Sequence, residues 1–123
     1  MKRTKMRLTS AAIGATIALS GATTASAYSY FVIYHGNDYS ITYGGNTGRA
    51  AISACDNELD GNEAYALYVR KSDSYNSPRR VEDGTGADGV CVDSGSSDSN
   101  YITNAKTCEN IAFYPDACSP WRF

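Results

Sequence analysis

The sequence predicts an all-β fold, a small antiparallel β-sandwich or barrel stapled by two disulfides after an N-terminal signal peptide. Three observations carry that expectation. Beyond residue 27 the apolar residues recur with a period of two, and no segment keeps the 3.6-residue spacing of a helix over three turns. Gly, Ser, Asp and Asn cluster at short intervals between the apolar stretches, as turns between short strands do. Four cysteines, Cys55, Cys91, Cys108 and Cys118, lie in a chain of 123 residues. An even count in a small exported domain implies a disulfide framework.

The leader has its three parts in order: a basic start with Lys2, Arg3, Lys5 and Arg7, an apolar run from Leu8 to Gly21, and the small-residue exit Ala25-Ser26-Ala27. The run of about 14 residues is short of the roughly 20 needed to cross a bilayer, so cleavage before Tyr28 and release into the extracellular space are expected. The chain then divides into 1–27, a signal peptide, 28–48, an N-terminal hairpin, and 49–123, a disulfide-stapled β domain.

Tyr28 to Tyr34 is an apolar aromatic run, and Tyr39 to Tyr43 alternates Tyr, Ile and Tyr with Ser and Thr. Gly36-Asn37-Asp38 between them completes a hairpin signal. Gly44 to Gly48 breaks the chain. Ala50 to Cys55 fits a short helix or a strand, and further strands are expected at Ala64 to Arg70, Gly89 to Asp93, around Tyr101 to Thr103 and around Asn110 to Tyr114. Ser72 to Pro78, Glu82 to Asp88 and Ser94 to Asn100 read as turns, and Arg79-Arg80 as a solvated turn.

The gaps between successive cysteines are 35, 16 and 9 residues, without the close pairs of a thiolate metal site, so two disulfides are expected. Three connectivities satisfy the count. Cys108 with Cys118 is a natural local staple and would leave Cys55 with Cys91. Each bond contributes roughly 2–4 kcal/mol, which matters in a domain with so small a core.

Charge and motifs exclude several functions. The leader takes four basic residues and no acid with it, so eleven Lys and Arg become seven against thirteen Asp and Glu, a net charge near −6. Nucleic-acid binding needs a clustered basic face, and none is present. No membrane role is expected after cleavage. Asp56 to Glu63 resembles the opening of an EF-hand calcium loop, but Leu67 stands where the bidentate glutamate belongs. Asp93 to Ser97 resembles the tail of a βγ-crystallin calcium motif, with Val92 at a position that takes an acidic or amide residue. Both are read as solvated turns, and no metal or cofactor is expected. His35 is the only histidine and the cysteines are expected to be oxidised, so no nucleophile and base pair is in view and the chain reads as non-enzymatic.

Recognition is what remains. In Tyr28, Tyr30, Phe31, Val32, Ile33 and Tyr34 both strand faces are apolar, which fits a central strand or else an edge hairpin completed by a partner. The second candidate is the C-terminal Trp121, Arg122 and Phe123, held close to Cys118 and Pro120. That triplet resembles the Trp-Arg-Tyr of small secreted α-amylase inhibitors, where it lies in an early hairpin rather than at the chain end. The layout is also similar to small secreted proteins of filamentous soil bacteria, through Cys55-Asp56, the strand from Ala64 to Arg70, the glycine-rich turn before Cys91 and the Cys-Ser-x-Trp end. Some of those proteins are adaptors in secreted toxin particles. The expected function is a secreted, non-enzymatic module that binds an extracellular protein as an adaptor or subunit. An inhibitor of a secreted hydrolase is the alternative, and a carbohydrate or cell-wall binding module the third.

Overall fold

Short alternating segments separated by glycine and Asx turns can satisfy their backbone only by pairing with one another, and every strand pairing among the described residues is antiparallel. The structure is a computed structural model that describes residues 29–123; the leader and Tyr28 lie outside the described residues. The strands are β1 (Phe31–His35), β2 (Asp38–Tyr43), β3 (Ala51–Cys55), β4 (Glu63–Arg70), β5 (Arg79–Asp83), β6 (Val92–Asp93), β7 (Ile102–Asn110) and β8 (Ala117–Cys118). They form two four-stranded sheets, ordered β1-β2-β3-β6 and β5-β4-β7-β8.

The inner faces of the two sheets meet. Ile33, Ile52 and Ala54 from the first sheet pack with Ala66, Tyr68, Val81, Ile102 and Ala105 from the second. Alanine and buried hydroxyls fill much of the interior: Ser40, Thr42 and Thr107 are all fully enclosed. The Thr107 hydroxyl lies 2.6 Å from the Ile33 carbonyl and 2.8 Å from the Ser40 hydroxyl, tying β1 and β2 to β7 across the layer. Cys55–Cys91 and Cys108–Cys118 are the two disulfides, the pairing suggested by the local staple.

Buried Arg70 is a second cross-link. Its guanidinium donates to the carbonyls of Ala50 (3.0 Å), Asn100 (2.8 Å) and Gly95 (2.5 Å). One side chain thereby closes the β6–β7 loop onto β3.

Ala50 to Cys55 resolves as strand β3, and the expected hairpin forms with a two-residue loop, since His35 pairs with Asp38. Gly36 takes φ +63° at the first loop position, which a side chain would resist. Gly48, at φ +70°, leaves no room for a Cβ, which would fall 2.4 Å from the Ser29 carbonyl oxygen on the way into β1.

Four expectations are corrected. Arg79-Arg80 and Glu82-Asp83 belong to strand β5 rather than to turns, with Val81 and Asp83 facing inward. The strands expected around Tyr101 and Asn110 are one nine-residue strand, β7, whose inward Ala105 and Thr107 are too small or polar to mark it. Residues 111–114 are an exposed turn, and of Gly89 to Asp93 only Val92–Asp93 is strand.

Candidate functional site

β1 is the edge strand of its sheet, and β2 pairs it to β3 in continuous register. Ile33 points into the core at 2% exposure and anchors the strand. Alternation then turns Tyr30, Val32 and Tyr34 outward, and Tyr30 and Tyr34 are 60% and 63% exposed. On β2 the half-buried residues are Tyr39, Ile41 and Tyr43, while Asp38, Ser40 and Thr42 are buried. Val32 stands opposite Ile41 and Tyr34 opposite Tyr39, whose rings are 5.7 Å apart. The outer face of the hairpin is therefore a patch of tyrosines and branched aliphatics where an ordinary half-exposed sheet carries polar groups.

The structure brings the two candidate segments together. Tyr30, Phe31, Val32, Ile33, Arg122 and Phe123 line one open concavity of about 470 Å³. Trp121 is not part of it: its ring packs 5.4 Å from Tyr75 and lies under the Lys106 ammonium at 4.7 Å. Tyr28 lies outside the described residues. Arg49 also belongs to this region, with its guanidinium 5.0 Å from the Phe31 ring and 4.1 Å from the Phe123 ring. Nothing in the glycine-rich stretch around Arg49 marked it in advance, because the contact joins three distant parts of the chain.

A second exposed aromatic group is Phe113 and Tyr114, in the loop closed by Cys108–Cys118. Phe113 is fully exposed and sits at φ +67°, a conformation a bulky side chain resists. Aromatic residues inside a disulfide-closed loop were the available signal, obscured by reading 110–114 as a strand.

On the loop between β3 and β4, Asp56 to Asn62 folds through its own carboxylates. Asp56 accepts the Glu58 N–H, Asp60 the Asn62 N–H, and Asp38 of β2 the Asn57 N–H at 2.8 Å. Burial pushes the carboxyls of Asp38 and Asp56 above the usual range. Glu109 of β7 is also raised, chiefly by a hydrogen bond shared with the Asp60 carboxyl, which is lowered in turn. The lone histidine, His35, ends β1 with Nε2 3.9 Å from Glu109 Oε2. The loop acids are thus joined by carboxylates from two strands, which the local motif did not reveal.

Comparison with protein families, with curated proteins and with solved structures finds no match.

Proposed function

We propose that the protein is a secreted, non-enzymatic binding module, a two-sheet sandwich that docks onto an extracellular protein partner as an adaptor or subunit through its N-terminal hairpin. The observation that carries the reading is the outer face of β1 and β2, where Tyr30, Val32 and Tyr34 stand beside Tyr39, Ile41 and Tyr43 on an edge of the sheet. Tyrosines give large contact area at small entropic cost, which favours a partner's surface laid against this outer face. The adjoining concavity lined by Phe31, Arg122 and Phe123 supplies a pocket for a side chain of that partner. Export is supported by the leader sequence and by two disulfides, which are typical of extracellular proteins.

The test is size-exclusion of the protein from its own culture fluid. An adaptor elutes in a stable assembly whose partner is identified by mass spectrometry; elution as a free monomer counts against the reading.

A second reading, inhibition of a secreted hydrolase, is favoured by Phe113 on its disulfide-closed loop. An inhibitor is found free and blocks a protease or glycosidase at equimolar dose, and Phe113→Ala removes that block.

A further inference from the structure

Asp38 opens β2, Glu58 lies in the β3–β4 loop, and Glu109 is near the end of β7. Each turns a carboxylate oxygen to a common point, and the three oxygens lie within 4.8 Å of one another. Calcium holds oxygens at about 2.3–2.6 Å, so donors on opposite sides of one ion stand roughly 4.6–5.2 Å apart. Three oxygens with this spread fit its coordination shell. Magnesium dehydrates reluctantly and is usually held by one or two carboxylates with several waters, so three protein carboxylates at one point favour calcium.

Proximity of acids alone does not make a site, and Asp38 supplies the independent observation. Its side chain is 0% exposed. One oxygen, Oδ1, accepts the Asn57 N–H, while the other, Oδ2, is enclosed with no hydrogen-bond partner at all. A buried carboxylate oxygen without a donor is costly, and a bound cation among these acids would satisfy it. Among the described residues no lysine or arginine forms an ion pair with Asp38, Glu58 or Glu109, and the nearest basic group is His35 at 3.9 Å from Glu109. The surroundings hold the donors in place: the Asn62 side-chain amide donates to Glu109 Oε1 at 2.9 Å, and the Asp56 carboxylate takes the Glu58 N–H at 3.1 Å. Half-buried Glu58 leaves a path for the ion from solvent. All-oxygen donors in a chain whose cysteines are paired select a hard cation over a thiophilic one.

We propose that Asp38, Glu58 and Glu109 form a calcium site that ties β2, the β3–β4 loop and β7 together. The site is separate from the docking face and stands or falls independently of it.

Thermal unfolding of the disulfide-intact protein tests the site in excess chelator, in millimolar calcium chloride, in magnesium chloride, and in sodium chloride of equal ionic strength. Calcium is expected to raise the melting midpoint by about 5 °C over chelator, with magnesium and sodium giving less. Asp38→Asn and Glu58→Gln lose the shift, while Asp88→Asn, on an exposed turn, keeps it. Should Asp38→Asn not fold, Glu58→Gln decides, since Glu58 is a half-buried loop residue. No calcium shift, an equal shift with magnesium, or a shift that survives Glu58→Gln overturns the assignment.

Discussion

Phe31 and Phe123, from opposite ends of the described chain, meet edge to face with ring centroids 5.1 Å apart. The contact joins the free edge of the first sheet to the C-terminal segment, which bridges to β7 through Arg122 and Ala105. Arg49 lies against both rings and completes a three-residue clasp.

Removing the clasp is expected to loosen this side of the molecule without unfolding it. Cation–π and aromatic pairs contribute about 0.5–1.5 kcal/mol each. Arg49→Ala or deletion of Phe123 should therefore cost about 1–2 kcal/mol in urea unfolding, with the m-value unchanged.

Arg70 is expected to be far less tolerant. Replacing it with leucine or methionine leaves the Asn100 carbonyl without a donor and takes one of two donors from the carbonyls of Ala50, which keeps the Ser97 N–H, and Gly95, which keeps the Ser94 hydroxyl. A loss of about 2 kcal/mol is predicted by denaturant unfolding. Arg70→Lys should recover only part of it, because an ammonium cannot span three carbonyls as a planar guanidinium does.

The two disulfides should not be equal. They span sequence separations of 36 for Cys55–Cys91 and 10 for Cys108–Cys118. Loop-closure entropy gives about 4 kcal/mol for the longer and about 3 kcal/mol for the shorter. Paired Cys→Ser variants should melt in that order, with the Cys55/Cys91 variant the lower.

Alkaline titration reports on Tyr65. Burial, then a hydrogen bond from its hydroxyl to the Asp116 carboxylate, push its phenol from 10.0 up to about 12. An acid raised on folding stabilises the fold while neutral in both states. That contribution is intact below pH 10 and is lost between pH 10 and about 12, where the unfolded chain ionises first. Stability should fall by roughly 2–3 kcal/mol across that window. Tyr65→Phe should flatten the fall and remove the last phenolate step seen by ultraviolet absorbance.

How far the sequence carries the fold can be judged from individual strands. The hairpin and β4 were legible because Tyr, Ile and Val mark the period of two. β5 was not, because Arg79, Arg80 and Glu82 mask an edge strand whose inward residues are only Val81 and Asp83. Charged residues are how sheet edges are kept from pairing with other chains, and they erase the apolar signal. β7 was fragmented because its buried Ala105 and Thr107 carry little hydrophobicity. Both candidate segments were visible as aromatic runs, but their meeting at one concavity was not, since nothing local links residue 31 to residue 123. Ile33 looked like its neighbours and only the register shows it facing inward. The acidic loop was read as a turn because Asp38 and Glu109, the donors that change its character, arrive from β2 and β7.

The most direct measurement is partner binding by a variant whose outer hairpin face alone is altered: Tyr30→Thr, Val32→Thr and Tyr34→Thr together. Threonine suits a strand and these side chains face away from the core, so the melting midpoint should stay within a few degrees of the parent. Affinity for the partner recovered from culture fluid should fall by about 30-fold or more, the loss of at least one strong contact residue. Undiminished binding by this folded variant would contradict the account.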